Sequence, residues 1–304
     1  MNKNLAFGLL LLGMAFMGVA FVFVKDAVTS YSPFVFLFYR FLISTVILSV
    51  IFSKNLKQIN IRTFEASFLC GIPLFFSIFF QTIGLRYTSV ANSAFITGMV
   101  VLLIPIFKLI FYKKKVKFII WISCLVAAIG LFIITLKNGL QLNIGDTWTF
   151  ACAIALAFYV LQTGKFAEAP NPMARVTIIM AICTIGSLFG EMMTVDAEWF
   201  PLDFNFWKGV IFSAIFGTVY MYSVQNYVQR FISEEKVALA YLTEPIFATV
   251  SAVILIDEKV NINTFLGGGL ILLAMFLSEL RTANLKRFLN STKIVKSSSN
   301  SSKI

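Results

Sequence analysis

The chain has 304 residues, 59% hydrophobic and only 13% charged, with a mean hydropathy of +0.88, 34 phenylalanines and no histidine. Soluble domains carry about 25% charged residues, so this chain has too little charge to coat a water-facing surface, and a soluble enzyme is excluded. The net charge of +11 is read below as a matter of topology, not of nucleic-acid binding.

A membrane-spanning helix needs about 20 apolar residues. Ten such stretches follow one another: 5–24, 33–53, 66–85, 91–112, 118–136, 147–164, 176–190, 209–229, 237–256 and 260–278. The first, after Lys3, is longer than the roughly 7–15-residue apolar core of a secretory signal, and nine spans follow it. Span two opens after Pro33 and carries Arg40. Span three holds Ser77 and Gln81; span four holds Ser93, Thr97 and, near its end, Lys108, which is expected to snorkel to the surface. The small residues Ser123, Cys124, Ala127 and Ala128 of span five, and Gly267–Gly269 of span ten, allow close helix packing. Span six carries Tyr159, Gln162 and Thr163. The Ser-, Asn- and Lys-rich segment 283–304 has little to bury and is expected to be a disordered cytoplasmic tail. The fold class is therefore all-α, a polytopic membrane protein with ten transmembrane helices.

With the N-terminus inside, 18 of the 25 Lys and Arg fall in inner segments and 5 in outer loops. This is the positive-inside pattern. It places the chain in a cell (inner, cytoplasmic) membrane with both termini cytoplasmic, and it accounts for Lys113–Lys117 without nucleic acid. The absence of histidine removes a Ser-His-Asp triad and His-ligated zinc. No stretch forms a Walker phosphate loop, so any work must draw on a gradient. The four cysteines lie apart in apolar spans and read as packing thiols. Neither catalytic residues, nor a metal site, nor a cofactor is expected.

A shift of 144 residues aligns 81–136 with 225–280 without a gap. Gln81 meets Gln225, Arg86 meets Arg230, and Lys115-Val116 meets Lys259-Val260. The unit holds five spans, an odd number, so its second copy enters the membrane upside down. The expected units are 1–139 and 140–282, two inverted five-helix repeats, an architecture of secondary transporters with substrate bound between the halves.

Several residues carry a family pattern. They are Pro33 with Arg40 seven residues on, the span-nine run Ala240-Tyr241-Leu242-Thr243-Glu244-Pro245-Ile246-Phe247, and the turn Asp257-Glu258-Lys259-Val260 leading into Gly267–Gly269. With the five-plus-five layout, the chain resembles the EamA family of the drug/metabolite transporter superfamily. The resemblance implies secondary transport of small metabolites, amino acids or drugs through a central cavity. It departs from the pattern in the first half, where Val100-Val101 and Lys114 stand opposite Glu244-Pro245 and Glu258.

Tyr222, Gln225, Asn226 and Gln229 form one stripe at helical spacing on span eight. Amides facing lipid would go unsatisfied, so the stripe either lines a cavity or forms an interhelical seam. Gln81, Tyr241 and Tyr159 complete the expected substrate-binding set. Glu244 stands out as a carboxylate well inside a span, where a charged acid costs about 2.5–3.5 kcal/mol. It reads either as a coupling site for a proton or ion, or as a structural acid. Arg40 and Glu244 sit at depths about 10 Å apart in a core about 30 Å thick, so no direct ion pair is expected.

The expected function is gradient-driven transport of a small organic metabolite such as an amino acid, by alternating access between the repeats, with the substrate, the lipid bilayer and a coupling proton or ion as partners. The alternative is a passive channel or membrane-embedded scaffold. The topology has a direct check. With cysteines introduced singly, an impermeant maleimide is expected to label Asp196→Cys in intact cells and to leave Lys114→Cys unlabelled; the reverse pattern would invert the assignment.

Overall fold

A computed structural model describes residues 3–57, 59–113, 118–135, 143–193, 198–232, 234–241, 243–274 and 276–277. The tail expected at 283–304, the boundary near 139 and the labelling positions Lys114 and Asp196 lie outside the described residues. The described segments outside the turns are helical, in the order α1 (Lys3–Ser30), α2 (Pro33–Ile51), the short α3 (Ser53–Leu56), α4 (Ile61–Tyr87), α5 (Val90–Gly98), α6 (Val100–Tyr112), α7 (Phe118–Thr135), α8 (Ile144–Lys165), α9 (Pro172–Met192), α10 (Phe204–Ala214), α11 (Met221–Val228), α12 (Glu234–Tyr241) and α13 (Glu244–Ile256). A last helix, α14, covers Ile262–Ala274. A π-helical segment, Ile215–Tyr220, joins α10 to α11.

Among the described residues six helices are long and apolar enough to cross a membrane, counting α5 and α6 as one. Span eight is α10, the π segment and α11 in succession, and span nine is α12 followed by α13. With α7 and α14 these make the ten spans of an all-α membrane protein. Local sequence sets the helix ends. Pro33 and Pro172 occupy first-turn positions, where a missing N–H costs nothing. Ser32, Asn60, Ser89, Asn143 and Asp203 each cap a helix through a side-chain oxygen.

The contacts follow a two-fold plan. Packing of α4 on α8 in spans three and six is answered by α1 on α10 and α11 in spans one and eight. Packing of α1 on α13 is answered by α6 on α8, and α4 on α9 by α10 on α2. Spans two and seven pack on each other, as do spans four and nine. Both fourth helices are broken at equivalent places. The break at Met99 lies 144 residues before the one at Thr243, and the left-handed residues Lys113 and Asp257, which end α6 and α13, stand in the same register.

Glycines set the closest crossings. A Cβ on Gly145 would lie 2.7 Å from the Gly84 carbonyl oxygen, and one on Gly18 would lie 2.7 Å from the Ala248 nitrogen. Gly130 of α7 meets the Gly267 carbonyl of α14 in the same way, Gly268 packs on the Phe95 ring, and Gly269, expected to allow close packing, faces open space. Gly18→Val is therefore expected to force α1 and α13 apart at a cost of about 1–3 kcal/mol or more, read as a lowered unfolding temperature. Gly8→Ala, which faces open space, should leave that temperature unchanged.

Candidate functional site

Two polar networks cross the bundle, one in each half, and they share a register. In the first, Gln81 Nε2 donates to Thr97 Oγ1 at 3.3 Å. In the second, Tyr241 donates its hydroxyl to Gln225 Oε1 at 3.1 Å. Each bond joins the third span to the fourth across 16 residues, and the two pairs are related by the 144-residue shift. Around Gln81, Ser77 and Thr97 approach the Cys152 thiol, and Ser93 meets Thr149 at 3.4 Å. Cys70, Cys152 and Cys183 are buried free thiols. Among the described residues no cluster of acids and cysteines could hold a metal ion.

The span-eight stripe is buried throughout and its amides are bonded. Gln225 Nε2 reaches Gln229 Oε1 at 3.5 Å, and Gln229 Nε2 donates to the Val160 carbonyl at 3.2 Å. Asn226 Nδ2 donates to the Tyr159 hydroxyl at 2.9 Å and to the Tyr222 carbonyl at 3.0 Å. Tyr222 stacks edge-on against Tyr159, ring centres 5.8 Å apart. Five of the expected residues, Tyr222, Gln225, Asn226, Tyr241 and Tyr159, thus form one connected cluster between spans six, eight and nine. Gln81 belongs to the companion network.

Glu244 opens α13 just after the break, with Pro245 at the start of the helix. Its carboxyl is buried, and Oε1 has no hydrogen-bond partner. Arg40 bonds elsewhere: its Nε donates to Thr218 Oγ1 at 2.8 Å and a terminal nitrogen to the Gly217 carbonyl at 3.3 Å, both in the π segment. This agrees with the expected absence of an Arg40–Glu244 pair.

Several charges differ from the sequence reading. Lys108 does not simply snorkel but pairs with Glu234 Oε2 at 3.1 Å, tying α6 to α12. Glu244 is not alone, because Glu191 of α9 and Asp146 of α8 are also buried carboxylates. Glu191 Oε2 accepts from Ser32 Oγ at 2.5 Å, and Asp146 Oδ1 accepts from Thr88 Oγ1 at 2.5 Å. Both sit at helix ends, outside or at the edge of the apolar runs. Arg175, counted above as a loop charge, is fully buried in the first turn of α9. Its Nε donates to Asn226 Oδ1 at 3.1 Å and another nitrogen donates to the Phe166 carbonyl. The Asn171-Pro172 pair that starts α9 was the available signal, since a helix begun at Pro172 encloses Arg175.

The ten-span bundle with a buried polar network in each half is that of a polytopic membrane protein, and the comparisons make the class specific. The sequence model of the EamA-like transporter family matches twice, over residues 4–136 and 143–280. The chain belongs to the EamA-like transporter family. It is 29% identical over 270 residues to an uncharacterized transporter of Archaeoglobus fulgidus, covering 87% of this chain and 82% of that protein. It is 24% identical to the uncharacterized transporter YyaM of Bacillus subtilis, covering 91% and 94%. A solved crystal structure at 16% identity superposes with a TM-score of 0.65 over 91% of this chain and 98% of its own, a likeness of fold alone.

The cluster ranks two substitutions. Asn226→Leu removes one acceptor from the buried Arg175 guanidinium, and a hydrogen bond to a charged group contributes about 1.5–3 kcal/mol. Gln225→Leu removes only neutral partners, that of the Tyr241 hydroxyl and a long contact to Gln229, on the order of 0.6 kcal/mol for an average interhelical bond in a membrane protein. Thermal unfolding of the purified variants is expected to show that order, and equal losses would mean that Arg175 does not lean on Asn226.

Proposed function

We propose that the protein is a gradient-driven secondary transporter of a small organic metabolite, such as an amino acid or a related compound, and has no catalytic activity. The reading assigns alternating access to the halves 1–139 and 140–282 around a central site. Tyr222, Gln225, Asn226, Tyr241, Tyr159 and Gln81 recognise the substrate. The chain works in the cytoplasmic membrane with both termini inside, in keeping with the 18-to-5 bias of its basic residues.

The observation that carries this reading is Glu244, a buried carboxyl with an unpartnered oxygen placed at a helix break. An acid held at such a cost inside a membrane bundle is a functional group by default. A proton on Glu244 removes the charge and frees the α12–α13 junction to move; release on the other side of the membrane restores the charge. The partner break at Met99 carries no acid, so coupling belongs to the second half while both halves supply the hinge.

Proteoliposomes with a radiolabelled amino-acid mixture test the reading. Wild-type protein is expected to show counterflow, which a passive channel cannot, and to accumulate label when driven only by a pH gradient. Glu244→Gln should retain counterflow and lose the pH-driven accumulation. Accumulation that persists in the variant would make Glu244 structural and end the proton model.

A further inference from the structure

Besides Glu244, the interior of the bundle holds two buried guanidinium groups, Arg40 and Arg175, and among the described residues neither has a carboxylate within ion-pair distance. An arginine inside a membrane span costs about 2.5–3.5 kcal/mol even on insertion scales, and such residues mark substrate paths when no acid neutralises them.

Each guanidinium is held in place by neutral groups that leave donors to spare. Arg40 makes two hydrogen bonds, and a guanidinium carries five N–H groups. Both acceptors lie in the π segment, a distortion found mostly at functional sites. The segment is itself braced, Thr218 Oγ1 donating to the Ser213 carbonyl and Ser44 Oγ donating to the Ala214 carbonyl. Arg175 is anchored by Asn226 and the Phe166 carbonyl, while its remaining terminal nitrogen is buried without a partner.

The two groups are linked through the aromatic pair already described. Arg40 bonds Thr218, four residues before Tyr222 on the same span, and the Tyr222 ring is in edge contact with that of Tyr159. Asn226 bonds both the Tyr159 hydroxyl and Arg175. The order Arg40, Tyr222, Tyr159, Arg175 therefore runs through the bundle from span two to span seven.

We propose that Arg40 and Arg175 are successive anion-binding stations on the substrate path, so that the transported metabolite carries a carboxylate or a phosphate group. This rests on the transport reading above. Each station offers planar N–H donors that match the oxygens of such an anion, and the tyrosines between them supply a neutral, polar passage.

The test loads proteoliposomes with a deproteinised cell extract and identifies by mass spectrometry the metabolites that leave, with empty liposomes as reference. Metabolites bearing a carboxylate or a phosphate are expected to dominate the protein-dependent set, and which of the two groups they share names the class. Arg40→Gln keeps a donor toward Thr218 and is expected to raise KM for the identified anion at least tenfold, with kcat less affected; Arg40→Lys should be intermediate. Arg175→Gln should act likewise. A merely structural role would lower kcat for every substrate and leave KM unchanged. Unaltered KM in the folded variants, or a set made only of neutral and cationic metabolites, overturns the anion stations while the transporter reading stands. If nothing leaves above the empty liposomes, the transporter reading falls and the stations with it.

Discussion

Hydrocarbon offers no partner to a peptide N–H or C=O, so every interruption of a spanning helix has to be made good within the protein. The breaks at Met99 and Thr243 are the places where this constraint shapes the rest. At Thr243 the hydroxyl turns back to the Ala240 carbonyl at 2.8 Å and the backbone N–H reaches the same oxygen at 3.1 Å. At Met99 the backbone N–H bonds the Ile96 carbonyl at 3.1 Å. The glutamines of the third spans fasten the helix just before each break, through Thr97 and Tyr241. The glycine crossing of Gly18 on α13 lets α1 press against the stretch just after the second break. Two kinks thus become ordered breaks, and Glu244 is placed at one of them.

Charge is distributed by depth. Near the helix ends it closes the bundle: Lys25 caps the last carbonyls of α4 through Leu85 and Thr88, and Lys108 ties α6 to α12 through Glu234. A cation at a helix C-terminus meets the negative end of the macrodipole. Other buried charges show a different pattern: Arg40 within α2, Arg175 in the first turn of α9 and Glu244 at the span-nine break are held by neutral groups or by none. The contrast separates charges that tie helices together through charged or terminal groups from charges that have no counter-charge within the bundle.

The sequence made the spans, the repeat and the polar stripe legible because apolar length and helical spacing follow directly from the solvent and the backbone. Gln225 and Asn226 could be placed on one buried face, but which neighbours they bond depends on helix packing that spacing does not encode. Arg175 and Glu191 were missed for a simpler reason. Both lie at the edges of α9, and an apolar window drawn as 176–190 ends just short of each. The π segment has no signature in Ile215–Tyr220, since it arises from Arg40 and Ser44 reaching over from α2 to draw on backbone carbonyls that a regular helix would keep.

The outermost turn of span nine reaches back across the molecule. Glu258 lies in the Asp257–Lys259 turn, and its carboxylate accepts from the backbone N–H of Val90 at 3.0 Å and of Ala91 at 3.3 Å, capping the first turn of α5. Those donors belong to the first half, while their acceptor is made 168 residues later. During biosynthesis the fourth helix enters the bilayer with its N-terminal amides lacking that cap, and receives it only after nearly the whole second half has followed. Completion of the first half's fourth helix is thereby tied to arrival of the second half.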